Sequence, residues 1–197
     1  IAPPADGPAN TQQSGSQDRP GALEGPTVEI GKMKAEAGET IKFKINITNN
    51  KDGFNGLIAW LDIDERYFEF VDWTAGDADD PDNEDSDIFN LTELTEYRKP
   101  GKTDLLTLVQ LYFDASAKNL KGDQVLATVT LKVKDNVKDG YYPLFLDYNG
   151  DPDRAMANRI VEKDGKNVPV VINPLYISGV VQVGNPSDIG DVTTEPP

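Results

Sequence analysis

The sequence predicts an all-β protein, an antiparallel sandwich or jelly roll of about nine short strands. Three observations carry that expectation. Apolar residues alternate with period two through the middle of the chain, turn residues interrupt the alternation at short intervals, and no long stretch repeats apolar residues at helical spacing.

The first strand is expected over Thr27–Ala35, ending at the Ala37-Gly38 turn. Thr40–Asn49 is the clearest: Ile41, Phe43, Ile45 and Ile47 alternate with Lys42, Lys44, Asn46 and Thr48, one side for a core and one for water. The run Asn49-Asn50-Lys51-Asp52-Gly53 closes it with residues that tolerate tight turns. Strands follow at Gly56–Asp64, Tyr67–Trp73 and Leu105–Asp114, then at Val125–Val133, where Val125, Ala127, Val129, Leu131 and Val133 share one parity. Tyr141–Tyr148, Asn167–Ile172 and Leu175–Val183 complete the set, with Lys121-Gly122-Asp123, Asp139-Gly140 and Asp164-Gly165 as punctuation. A short helix is expected at Pro152–Ile160, with Asp153 capping Ala155, Met156 and Ala157.

The flanks differ from this core. Residues 1–26 are rich in Pro, Gly, Gln, Ser and Asp, with neither a basic start nor an apolar run, and read as linker rather than leader peptide. Residues 185–197 end on Thr193, Thr194, Glu195, Pro196 and Pro197 and read as a Thr/Pro-rich linker. The folded unit is therefore expected over 27–184, as one module of a larger multi-modular protein.

Composition removes many functions. The net charge of −15 disfavours nucleic acids and anionic membrane surfaces, both of which need clustered Lys and Arg. No stretch approaches the roughly 20 apolar residues of a spanning helix. Histidine and cysteine are both absent, which excludes Ser-His-Asp and Cys-His machinery, His- or Cys-ligated metals and disulfides. Carboxylates are too abundant to single out a glycosidase pair, and a sandwich of this length leaves little chain for a substrate groove. The expectation is a non-catalytic protein.

Two strands break the one-sided pattern. In Gly56–Asp64, Leu57, Ala59, Leu61 and Ile63 occupy one parity while Ile58 and Trp60 precede Asp62 on the other. In Leu105–Asp114, Leu105, Thr107, Val109, Leu111 and Phe113 face Leu106, Leu108, Gln110 and Tyr112. One explanation is that the 75–104 segment or the 152–160 stretch covers the outer face. The other is an apolar platform left open for a partner. Trp60, Trp73 and several Tyr residues also keep open a carbohydrate-binding module, although Trp73 fits a core position, and Ile58, Leu106 and Leu108 suit a protein helix better than a sugar ring.

Acidic clusters are the remaining features. Asp77, Asp79, Asp80, Asp82, Glu84, Asp85 and Asp87 lie in one run without a base. Asp82, Glu84, Ser86 and Glu93 have EF-hand-like spacing, but Asp87 stands where that loop needs Gly. The expectation for the run is a solvated loop. Asp147, Asn149, Asp151 and Asp153 alternate at a spacing that places oxygens around a hard cation if the chain curls, yet Pro152 occupies the glycine position. They are weak metal candidates, and an Asp/Asn/Gly turn is the simpler expectation.

The order of elements resembles the cohesin modules of cellulosomal scaffoldins across about residues 27–184. The resemblance lies in VEIGKMKAEAGET, IKFKINITNN, FNGLIAWLDIDERYFEFVDWTAG, GDQVLATVTLKVKDNVKDGYYPL and the closing LYISGVVQVG. The chain departs from commoner members in the acidic insert Gly76–Pro100 and in an expanded Asp147–Asn167 region. The resemblance implies a nine-stranded jelly-roll sandwich, extracellular or cell-surface in a bacterium, that binds a dockerin for cellulosome assembly. It implies no cofactor in this chain, calcium belonging to the dockerin, and it selects the same open face as the two-sided strands. The residues it carries onto that face are Ile58, Trp60, Asp62, Tyr97, Leu106, Leu108, Gln110, Tyr112 and Leu126.

Overall fold

Alternating side chains give each strand an inward and an outward face, and the inward faces build one hydrophobic core between two sheets. The computed structural model describes residues 21–97, 106–146 and 156–186. Twelve strands form there: β1 Leu23–Ile30, β2 Lys32–Ala35, β3 Thr40–Thr48, β4 Gly56–Asp64, β5 Phe68–Ala75, β6 Thr92–Tyr97, β7 Leu106–Asp114, β8 Gln124–Val133, β9 Gly140–Leu146, β10 Met156–Lys163, β11 Lys166–Ile177 and β12 Gly179–Val183. No α-helix forms among the described residues. The architecture is an all-β jelly-roll sandwich.

One sheet runs β11–β1–β3–β8–β5. The other runs β2–β12–β9–β4–β7–β6. The β10–β11 hairpin links them, because β10 also pairs with β4 and the second half of β11 pairs with β1. Val28, Ile45, Leu61, Val109, Phe113, Val129 and Val181 from both sheets are fully buried in the shared core. Phe54 and Phe113 pack with ring centroids 4.8 Å apart.

Two pairings are parallel, β1 with β11 and β2 with β12, where the alternation had predicted only antiparallel strands. They arise because the chain changes sheets twice at the same place. The expected single strand over 27–35 divides at Gly31, and the second crossing occurs at Ser178 and Gly179. Here the backbones nearly touch: a Cβ at Gly179 would lie 2.3 Å from Ile30 Cγ2 and 2.9 Å from the Gly31 carbonyl oxygen. Only glycine permits that approach.

Two further elements differ from expectation. The helix expected at Pro152–Ile160 is absent where the chain is described: residues 156–160 belong to β10, and 152–155 lie outside the described residues. Ladders to β4 and β11 on its two edges outweigh the intrinsic helical preference of Met156 and Ala157. The insert Gly76–Pro100 contains β6, paired with β7 along its whole length, with Thr92 buried and Leu94 packed on the core.

The acidic run before β6 is tied down as well. Lys44 Nζ, outward on β3, contacts Asp77 at 2.7 Å and Asp79 at 3.0 Å. Asn83, in a 3₁₀ turn over Asn83–Asp85, donates Nδ2 to the Ala75 carbonyl at 2.8 Å, and Ile88 is buried in the core. The hydrogen bond from Lys44 holds the Asp77 carboxyl below its ordinary range, against a smaller opposing effect of burial.

Gly179→Ala is expected to destabilise the fold by about 1–3 kcal/mol, as overpacking typically does. A lowered midpoint in guanidinium unfolding with an unchanged slope would show it; a midpoint equal to wild type would refute the close-crossing account. Because the Asp77 carboxyl is lowered, its contribution is complete above the ordinary Asp range and fades as pH falls through the lowered value. Lys44→Met should therefore reduce stability at neutral pH and leave it level with wild type in acid, measured as the pH dependence of the unfolding midpoint.

Candidate partner-binding face

The outward side of the second sheet is organised by strand register. Residues opposite each other on neighbouring strands point to the same side of a sheet. One row is Met156, Ile58, Tyr112 and Glu93, on β10, β4, β7 and β6. The next is Trp60, Gln110 and Thr95, and the third is Phe145, Asp62, Leu108 and Tyr97, beginning on β9. Asp64 with Leu106 continues the series at one end, and Asn158, Gly56 and Asp114 at the other. Eight of the nine residues nominated from sequence fall into consecutive rows of one sheet.

The alternate rows explain the rigidity of this surface. Leu57 and Phe113, Ala59 and Leu111, and Leu61 and Val109 face the core from β4 and β7, all of them fully or almost fully buried. Outward, Ile58, Trp60 and Gln110 are half-buried and Tyr112 is 39% exposed. Of the segments considered as a cover, residues 98–104 and 152–155 lie outside the described residues. Residues 92–97 and 156–160 join the sheet edge to edge and widen it.

Two nominated residues do not present side chains on the surface. Asp62 keeps its register position but is only 2% exposed. Leu126 is a correction: it lies on β8 of the other sheet and is 0% exposed. A bulge between Ile45 and Asn46 in the β3–β8 register leaves Leu126 without an opposite residue and turns it, next to Ala127, into the core. The same bulge shifts Val125, expected inside, to a half-buried position opposite Asn46.

The charged rim is anchored by short contacts. Arg66 grips Asp64 through Nε at 3.0 Å to Oδ1 and Nη2 at 2.7 Å to Oδ2, and its guanidinium stacks 5.0 Å over the Tyr67 ring. At the opposite end, Tyr112 Oη donates to Asp114 Oδ2 at 3.2 Å, while Asp114 Oδ1 accepts from the Ser116 amide at 2.7 Å and its hydroxyl at 3.2 Å. Partial burial raises the Tyr112 phenol above its ordinary value, and the charges of Asp114 and Glu93 add to the shift.

The metal candidates Asp147, Asn149, Asp151 and Asp153 lie outside the described residues. Among the described residues, no group of three or more acidic side chains is gathered to hold a metal ion. Glu93, the last position of the EF-like spacing, sits opposite Tyr112 on β6.

The sequence profile of the cohesin domain family matches residues 26–166. A search of curated proteins finds no match. Among solved structures, the chain is similar to the seventh ScaB type I cohesin from Pseudobacteroides cellulosolvens, with a TM-score of 0.61, 21% identity, and coverage of 84% of this chain and 96% of that one. It is similar to the cohesin CaCohA2 from Clostridium acetobutylicum, with a TM-score of 0.58 at 15% identity, covering 84% and 94%. The Coh-OlpC–Doc435 type I cohesin–dockerin complex from Clostridium thermocellum gives a TM-score of 0.58 at 16% identity, covering 84% and 97%. At these identities the structural likeness shows the fold alone.

Sequence reasoning missed Phe145, Glu93, Thr95 and Asn158 on this surface. The signal for Phe145 was available, since burying Tyr142, Leu144 and Leu146 turns it outward. Glu93 and Thr95 were concealed by the acidic composition around β6. In the paired variant Glu93→Gln/Asp114→Asn, the Tyr112 phenol is expected to titrate at lower pH than in wild type. Tyrosine ring NMR across the alkaline range reads this directly, and an unmoved Tyr112 titration would refute the charge coupling.

Proposed function

The chain belongs to the cohesin family, and from that membership we propose that it is a non-catalytic module that binds a dockerin through the outward face of β4, β6, β7 and β9. The supporting observation is the alignment of Ile58, Trp60, Gln110 and Tyr112 in consecutive rows, backed by fully buried residues. A sheet face supported in this way is formed before the partner arrives, so little ordering cost accompanies binding. Leu106, Leu108 and Tyr97 occupy register positions that extend the same rows. Three of the complexes similar in fold contain a type I cohesin with its dockerin.

The composition is consistent with this role. A helix-bearing partner can seat aliphatic and aromatic side chains on Ile58 and Trp60, each worth roughly 1.5–3 kcal/mol when fully buried. Calcium then belongs to the dockerin, and this chain supplies no cofactor. The setting that follows is outside the cell, within a larger multi-modular protein of a cellulosome.

The test is calorimetric titration with a panel of dockerins, first in calcium and then in EDTA. Tight binding of one dockerin that disappears in EDTA supports the reading; no binding across a broad panel overturns it. Trp60→Ala and Ile58→Asp should each weaken that complex by about 2 kcal/mol or more, with the unfolding midpoint used to verify the fold. Unchanged affinity in both folded variants would remove this face from the proposal.

A further inference from the structure

The outward face of β4, β6, β7 and β9 segregates charge by sign. Its outward positions with described side chains run Gly56, Ile58, Trp60, Asp62 and Asp64 on β4, Glu93 and Thr95 on β6, Gln110, Tyr112 and Asp114 on β7, and Tyr141, Pro143 and Phe145 on β9. Every ionised group in that set is a carboxylate. The outward face of β3 and β8 in the other sheet, by contrast, carries Lys42, Lys44 and Lys132.

The carboxylates are not equivalent. Asp62 is buried, and Asp64 is already held by Arg66. Glu93 and Asp114 flank Tyr112, and neither has an ion-pair partner among the described residues. Asp114 is fixed by Ser116 and by the Tyr112 hydroxyl, so the ring and one carboxylate form a rigid unit. Glu93 is exposed opposite the ring on the sheet's edge strand. Tyr112 is exposed on this face, and Ile58 adjoins it in the same row.

Resting on the dockerin-binding reading, we propose that this corner receives a Lys or Arg side chain from the docked helix of the partner, with its stem on Tyr112 and Ile58 and its charge between Glu93 and Asp114. Charge complementarity argues for that occupant. A cation gains from two carboxylates and from the face of an aromatic ring, whereas an acidic or neutral helix would leave both carboxylates desolvated without compensation. The central rows supply affinity for any apolar helix, and this corner selects among helices by the sign of one residue.

The experiment uses the full chain and the dockerin that binds most tightly in the panel, titrated at low and at high salt. The controls are wild type and Ile58→Asp; the test variants are Glu93→Gln/Asp114→Asn and the charge reversal Glu93→Lys. The Glu93 side chain is exposed and has no hydrogen bond or ion pair among the described residues, so the reversal remains informative if the double variant is unstable. The expected result is about a tenfold loss of affinity at low salt in the double variant and a larger loss in Glu93→Lys, with both differences shrinking at high salt. Exchanging the partner's basic residue for Glu should restore binding to Glu93→Lys. If Ile58→Asp abolishes binding while both corner variants match wild type at every salt concentration, the corner proposal fails and the binding face stands. If no dockerin binds wild type, or Ile58→Asp binds normally, the reading beneath it fails and the corner proposal falls with it.

Discussion

The double crossing at Gly31 and Gly179 is the constraint on which the remaining architecture depends. Both ends of the folded unit pass from one sheet to the other where Gly179 meets Ile30 and the Gly31 carbonyl, so closely that a methyl group added at Gly179 has no room. Because of it, β1 and β2 belong to different sheets, as do β11 and β12, and each crossing strand pairs in parallel with the other's partner. The sheets are joined covalently and by hydrogen bonds at the same spot. β12 then carries β9, and β9 carries β4, so the outward face is referenced to the opposite sheet through continuous ladders.

That connection explains how a strand can be apolar on both sides without collapsing. An exposed sheet bearing Ile58, Trp60 and Tyr112 would ordinarily invite rearrangement or self-association. Here β4 and β7 are central strands whose inward residues are fully buried, so turning the outward residues inside would exchange one apolar row for another at the cost of an intact core. The edges are guarded differently. β6 presents Glu93 and Glu96, β2 is four residues long with Lys32 and Lys34, and β5 carries a bulge that leaves Val71 unpaired and 51% exposed.

Period-two alternation made the central strands legible in sequence, and Gly56–Asp64 was recovered to the residue. Most of the face followed, because two-sided apolar strands have few explanations. What escaped notice were features that alternation cannot encode. The bulge at Leu126 reverses parity within a strand that otherwise alternates cleanly. The crossing at Gly31 sits where the apolar alternation changes parity, from Val28 and Ile30 to Met33 and Ala35, a slip too short to mark a change of sheet, and β6 hides Thr92 and Leu94 among acids. The hairpin strand β10 depends on pairing with segments over 90 residues away in the case of Gly56, a nonlocal contact that no local preference for helix reveals.

The acidic excess of the chain then takes on different meanings in different places. Asp77 and Asp79 are used internally, to close the crossover segment onto Lys44. Asp64 is used internally as well, fastened by Arg66 at the end of β4. Glu93 and Asp114 differ in having no ion-pair partner among the described residues, although they border the exposed ring of Tyr112. Folding explains why the first set is where it is. It does not explain the second, since a rim of mixed charge would solubilise the edge equally well and repel itself less. A pair of carboxylates beside an apolar surface lowers the affinity of every partner that lacks a base at that point, and charge of this kind discriminates among helices that the apolar rows would accept alike.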